Sequence, residues 1–368
     1  MANIMDYLAW RGDLSWAASE FNEVDNLILS ELIYVDFSGI VPAIGKGDIT
    51  LWEASDIFFS QHTDEEINAK VSSTKVAPFM MREMATTDRF GEIRLANYIN
   101  DISQKEQSQF CAMTVELGDD RSCVVYSGTD ATIVGWRENF NMSFLTETPG
   151  QLKAVDYLSL VATQNDLPLR VMGHSKGGNL AVYASTHVAA EVRDRIESIY
   201  SNDGPGFSES MISQENYSRL IPKIHTIIPE SSIVGMLLEH EEEFEVVASA
   251  ASGARQHDVM NWEVLGASLV HRNTVDGRAV LLDQTLKGWL NKMEPAEREE
   301  FVDALFGILE EAQIYTVDDL AAVHPSKFIE MLRKSSSFGK EEQEIMRESV
   351  RRLLEEGGHA LKELIFRK

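Results

Sequence analysis

The run Leu167-Pro168-Leu169-Arg170-Val171-Met172-Gly173-His174-Ser175-Lys176-Gly177-Gly178-Asn179-Leu180-Ala181 decides how the chain is read. Leu167–Met172 is a short apolar stretch of the kind that forms a buried strand. Asn179–Val192 carries apolar residues at Leu180, Ala181, Ala184 and Val188, which is helical spacing. Between them Gly173, Ser175 and Gly177 fit G-x-S-x-G, with Gly178 following. A serine on so sharp a strand-to-helix turn stands exposed at the carboxyl edge of a sheet, and the flanking glycines let strand and helix approach closely. The helix N-terminus adds positive potential where an oxyanion would develop. Ser175 is therefore the candidate nucleophile; the plainer alternative is a tight turn whose serine caps the helix.

Outward from this turn, strand and helix signals alternate. Phe110–Val115 and Ser122–Tyr126 flank a turn at Gly118, and a helix is expected over Gln151–Thr163 with Leu152, Val155, Leu158 and Ala162 as its stripe. Ile196–Ser201, Lys223–Ile228 and Phe244–Ala248 read as further strands. Strands separated by helical segments predict an α/β fold, a mainly parallel central sheet with helices on both faces and right-handed crossovers. Residues 1–105 read as a mixed, mostly helical segment packed on the core, 106–280 as the core, and 281–368 as a charged helical region punctuated by Pro295 and Pro325.

Lys and Arg total 33 against 59 Asp and Glu, a net charge of −26 that opposes nucleic acid or an anionic membrane surface as a partner. No run approaches the roughly 18 apolar residues of a membrane span. The start, Met1-Ala2-Asn3-Ile4-Met5-Asp6, lacks the basic region of an export signal, so a cytoplasmic address is expected. If Leu117 faces Arg121, Cys123 pairs near Val115, and roughly 13 Å along the strand separates it from Cys111, too far for a disulfide. Reduced core thiols are expected. The histidines and cysteines show no metal-ligand spacing, and no cofactor is implied.

Acyl transfer needs two N–H donors aimed at the oxyanion. One comes from the residue after the nucleophile, Lys176; the other from a loop ending an earlier strand. Val124-Val125-Tyr126-Ser127-Gly128-Thr129-Asp130 ends such a strand, with Trp136 further on, and Thr129 is the candidate. A plain strand-end turn capped by Thr129 or Asp130 is the alternative.

The S-G-T-D strand end with its following Trp, then G-H-S-K-G-G-N-L-A, resembles the class 3, lipase-type branch of the α/β hydrolases. More closely, N-D-G-P-G-F, I-P-E-S-S-I-V-G-M-L-L, Q-H-D with W-E-V, and the opening Asp6-Tyr7-Leu8-Ala9-Trp10-Arg11-Gly12-Asp13 resemble a lipase-related family of bacterial proteins. That closer resemblance runs from the start to about Val264, the wider one over about 110–265. It implies the α/β-hydrolase fold and an ester or thioester substrate. Ser127 stands where those lipases carry Arg, and Lys176 where they carry an uncharged residue. Lys176 is expected to snorkel to solvent or to pair with a carboxylate; recognition of an anionic substrate is the sharper alternative.

The order Ser…Asp/Glu…His places the base downstream. His257, in Arg255-Gln256-His257-Asp258 after the last strand signal, is the candidate, with His271 and His240 as rivals. His187 is about three helical turns from Ser175, His225 lies within a strand, and His240 sits in an acidic run, Glu239–Glu245, read as a solvated helix end. The acid is Asp203, beside the Gly204-Pro205-Gly206 turn, or Glu230 one strand later. Ser231–Leu238 is either a lid or apolar wall over the site or a core helix. The expectation is a serine esterase with a small-molecule or lipid-like ester as partner and no stable membrane anchor. A non-catalytic scaffold, a thioesterase and an acyltransferase stand as alternatives.

Overall fold

β-Branched and aromatic residues dominate the stretch Ser122–Tyr126, and every one of its five side chains is buried, which makes it the pivot of the sheet. The computed structural model of the chain describes residues 1–69, 75–103, 108–129, 141–142, 147–277, 280 and 295–311. Eight strands join one sheet in chain order: β1 (Asp48–Thr50), β2 (Arg94–Ser103), β3 (Ser108–Glu116), β4 (Ser122–Tyr126), β5 (Leu169–His174), β6 (Ile196–Asn202), β7 (Ile224–Pro229) and β8 (Phe244–Val247). Strands β1 to β4 pair antiparallel, whereas β4 to β8 are parallel.

Because β4 to β8 step across the sheet in one direction, right-handed crossovers put every connecting helix on the same face. That face holds α6 (Pro149–Val161) and α7 (Lys176–His187). The short helices α8 (Ala190–Arg193), α9 (Glu209–Ile212) and α10 (Glu215–Leu220) follow in chain order. The opposite face would be left bare, and the N-terminal segment covers it. It supplies α1 (Ile4–Arg11), α2 (Glu23–Leu32), α3 (Leu51–Gln61), α4 (Asp64–Ala69) and α5 (Ala77–Ala85). Alternation along β4 separates the two cores: Cys123 and Val125 pack with Leu27, Ile28 and Met80, whereas Val124 and Tyr126 pack with Leu158 and Leu180. A helix α11 (Pro295–Glu311) lies within the charged C-terminal region. The rest of that region, with Asp130 and Trp136, lies outside the described residues.

Local signals set the helix starts. Asn22 caps α2 in a capping box with Asp25, and Thr148 caps α6 with Gln151 at N3 and Pro149 at N1. Helix α2 is buried along nearly its whole length, and its polar residues Asp25, Asn26 and Ser30 are hydrogen-bonded there. Asp25 accepts from Arg89 through both oxygens and from the Tyr7 hydroxyl at 2.8 Å, and Arg89 also reaches the carbonyls of Leu14, Ser19 and Glu20. With both side chains fully buried, removing either partner is expected to cost about 3–5 kcal/mol.

The first 105 residues are mixed and mostly helical, and β1 and the ten-residue β2 extend the sheet, β2 pairing with β3. Two expectations change. Ser231–Leu238 is neither helix nor part of the sheet but a turn-rich loop. The acidic run 239–245 is not a solvated helix end: Glu242 is buried, accepting from Thr226 Oγ1 at 2.6 Å and from the Tyr217 hydroxyl, and holding His240 at 3.0 Å. Val115 does face Cys123; both cysteines are free and buried, and burial pushes both thiols up to about 12. Among the described residues no helix is long and apolar enough to cross a membrane.

Candidate active site

Strand β5 ends at His174 and helix α7 begins at Lys176, so Ser175 alone makes the turn. Its backbone is held at φ 55°, ψ −130°, a conformation costing a non-glycine residue on the order of 1–3 kcal/mol. The surroundings over-determine it: Ser175 N–H donates to the Asn202 carbonyl at 2.9 Å, and the Ser175 carbonyl accepts from Gly178 N–H at 2.9 Å. Helix and strand meet so closely that a Cβ on Gly177 would lie 2.2 Å from the Tyr126 carbonyl oxygen.

Three side chains predicted from sequence converge here. His257 Nε2 lies 3.0 Å from Ser175 Oγ, and His257 Nδ1 lies 2.6 Å from Asp203 Oδ2. A carboxylate only accepts, so Nδ1 carries the ring proton and Nε2 presents its lone pair to the serine hydroxyl. Asp203 ends the strand beside β5, with no exposed surface and φ 49°. Its other oxygen accepts from Ser232 Oγ and from Gly235 N–H at 3.1 Å. The loop once read as a lid or core helix is thus the cradle of this carboxylate. Glu230 lies elsewhere, its carboxylate 3.6 Å from Arg272 on a partly exposed edge. The rival histidines are engaged away from Ser175: His240 with Glu242, His271 with Glu23, His225 with Glu245 and His187 with the Tyr183 carbonyl.

The strand-end loop lies against the nucleophile. A Cβ on Gly128 would meet Ser175 Cβ at 3.1 Å and the Tyr34 hydroxyl at 2.1 Å, so only glycine fits, and Thr129 follows directly. Lys176 opens α7 as its first residue, its N–H at the positive end of the helix. Its side chain departs from the expected snorkelling to solvent. It is fully buried, and Nζ donates to the Gln109 carbonyl of β3 at 2.6 Å. The reason is position: the first turn of α7 runs under β3 and β4, so a side chain leaving it toward the sheet finds carbonyls rather than water.

Six supporting residues escaped sequence reasoning: His174, Tyr34, Asn26, Ser30, Asn202 and Asn179. His174 Nε2 donates to the His257 carbonyl at 2.9 Å while Nδ1 accepts from the Tyr34 hydroxyl at 3.0 Å, and its ring lies 4.6 Å from that of His257. Burial, followed by the nearby His257 charge, pushes the His174 imidazolium down to about 3 and keeps the ring neutral. Asn26 and Ser30 of α2 hydrogen-bond the Asn202 side chain at 2.9 and 3.0 Å, bracing the residue before Asp203. Asn179 of α7 donates to the Pro205 and Gly206 carbonyls at 3.0 and 2.9 Å, clamping the turn after it. The sequence signal for His174, Asn179 and Asn202 was their adjacency to the motifs, in Gly173-His174-Ser175, Gly178-Asn179 and Asn202-Asp203; Asn26, Ser30 and Tyr34 carried none.

The family model described as Mbeg1-like matches residues 84–307, more than half the chain and all three convergent side chains. Among solved structures, the crystal structure of M37 lipase aligns at 12% identity and a TM-score of 0.38, covering 57% of this chain and 67% of that one. Comparison with curated proteins gives no match.

Proposed function

Since the chain belongs to the Mbeg1-like family, we propose that it is a serine hydrolase of the α/β-hydrolase type, cleaving a carboxylic ester through an acyl-enzyme. The observation that carries this reading is Ser175 Oγ at 3.0 Å from His257 Nε2, on a strained turn that closes a strand and opens a helix.

Ser175 Oγ attacks the ester carbonyl carbon as His257 Nε2 takes its proton. Asp203 keeps the ring in the required tautomer and stabilises the imidazolium without accepting the proton. The oxyanion is held by the backbone N–H groups of Lys176 and Thr129, the first at the N-terminus of α7. Collapse expels the alcohol, which takes the proton from His257, and leaves an acyl group on Ser175. Water then attacks that acyl carbon, giving its proton to His257, and the carboxylic acid leaves as Ser175 is reprotonated.

A fluorophosphonate probe tests the reading on the whole chain. Covalent labelling of the folded protein that vanishes in Ser175→Ala and falls at least a hundredfold in rate in His257→Ala is the expected result. Equal labelling of Ser175→Ala, or none of the folded wild type, refutes it. Acyl chain preference then follows from p-nitrophenyl esters of increasing length.

A further inference from the structure

A second cluster of chemically capable side chains lies at the far edge of the sheet. After β8 the chain returns antiparallel beside it, with Val247 opposite His271, Ala248 N–H donating to the Val270 carbonyl at 2.8 Å and Arg272 N–H to the Val246 carbonyl at 2.7 Å. Opposed residues point to the same face, and so do residues two apart. Val247 opposite His271 therefore puts Glu245 diagonal to His271. Ile227 opposite Glu245 puts His225 diagonal to Glu245 on that same face. The face is the one covered by α2, whose first residue is Glu23.

Side-chain positions follow from that register. His271 Nε2 lies 3.0 Å from each oxygen of Glu23, and single ligand atoms of Glu23, Glu245 and His271 all fall within 4.8 Å of one another. Ligands around a tetrahedral zinc ion, at 2.0–2.2 Å from the metal, stand about 3.3 Å apart, so small rotations bring these atoms into a shared shell. Each carboxylate also has an outer donor that would orient it. Glu23 Oε1 accepts from Leu269 N–H at 2.8 Å, and Glu245 Oε1 pairs with His225 Nδ1 at 2.7 Å. Such donors behind metal-bound carboxylates fix their direction. The partners are partly exposed, which leaves an entry path.

We propose that Glu23, Glu245 and His271 form a binding site for a divalent first-row ion of the zinc class, with His225 orienting Glu245. A neutral imidazole beside two carboxylates suits such an ion, whereas magnesium and calcium prefer oxygen ligands alone. The net charge of the trio with neutral His271 is −2, which one divalent cation cancels. The ion joins the start of α2, the strand β8 and the chain returning beside it. The site stands apart from Ser175 and does not depend on the hydrolase reading.

The test uses the whole chain, stripped with EDTA and desalted, titrated with zinc chloride at pH 7.5 by calorimetry and by thermal melting. One equivalent binds with a Kd of micromolar or tighter, and zinc at a hundredfold excess over Kd raises Tm by about 5 °C. Glu23→Gln and Glu245→Gln each weaken binding by at least thirtyfold; the second leaves the Glu23–His271 pair in place, so a folding defect does not confound it. His225→Ala weakens binding by about tenfold, as loss of an outer donor does. Cobalt substitution gives visible absorption of low-coordinate intensity that is lost in His271→Ala. No heat or melting shift up to 1 mM zinc overturns the proposal. Binding unchanged in both glutamine variants, or magnesium bound as tightly as zinc, overturns it equally.

Discussion

Acidification is expected to weaken the folded protein through His174. This imidazole is wholly buried, with Nε2–H committed to the His257 carbonyl and Nδ1 committed to accepting from Tyr34. The folded state therefore refuses a proton until about pH 3, whereas the unfolded chain accepts one near 6.5. A depressed imidazole pKa makes stability fall as pH falls, because below 6.5 the unfolded state binds more protons. The slope from this one group is about 1.4 kcal/mol per pH unit, so the loss from pH 6.5 to pH 5 is about 2 kcal/mol. Other groups titrate in that range, and the discriminating quantity is the difference from His174→Gln, which keeps a donor and an acceptor but cannot protonate. Urea unfolding of both proteins between pH 5 and 7.5 gives it. The advantage of the wild type should shrink by about 2 kcal/mol between pH 7 and 5. A difference that stays constant across the range refutes the argument, for it would mean that folded His174 titrates as freely as unfolded.

Tyr34→Phe leaves His174 Nδ1 buried without its donor, so kcat on the best p-nitrophenyl ester should drop about tenfold with KM within twofold, alongside about 1–3 kcal/mol of stability. Gly128→Ala drives a methyl into the Tyr34 hydroxyl and the His174 carbonyl, 2.1 and 2.6 Å away. Fluorophosphonate labelling should slow by more than tenfold, and urea midpoints should fall by an amount typical of overpacking, about 1–3 kcal/mol. Glu31 is buried, and desolvation reinforced by nearby Asp258 raises its carboxyl well above the usual range. An acid raised in the folded state costs stability above its unfolded pKa, and the cost fades as pH falls. Glu31→Gln should therefore stabilise at pH 8, and a gain equally large at pH 4.5 would refute that account.

What could be read from the sequence was whatever local chemistry dictates. Ser122–Tyr126 was legible to the residue because a five-residue run with Val124, Val125 and Tyr126, preceded by a turn at Gly118, is too short for a helix and suits a strand. The turn at Ser175 was legible because strand, glycines and helix are contiguous. His257 and Asp203 could be chosen from chain order, since each follows a strand of the parallel sheet. Strand β2 was missed because Arg94–Ser103 lacks clean alternation: Asn97 takes a positive φ of 56°, and the register with β3 slips between Ala96 and Ile99. The burial of Lys176 was missed because its acceptor, the Gln109 carbonyl, is 67 residues away in sequence.

The same distance explains why α2 looked like packing and turns out to touch the candidate site. Its apolar residues, Leu27 and Ile28, fill the core as any amphipathic helix would. Its polar ones do something the pattern cannot announce: Asn26 and Ser30 hold Asn202, whose carbonyl in turn fixes the strained Ser175 amide. Tyr34, just past the helix, donates to Nδ1 of His174, whose Nε2–H holds the His257 carbonyl. Two imidazoles then lie 4.6 Å apart with opposite duties. In the proposed reaction His257 takes up a proton in every turnover, and a second cation beside it would oppose that uptake. Keeping His174 neutral at all working pH values removes the competition, and burial beneath α2 is what keeps it neutral. Under the proposed mechanism the N-terminal helices therefore belong to the catalytic unit, because the base they position works only while its neighbour stays uncharged.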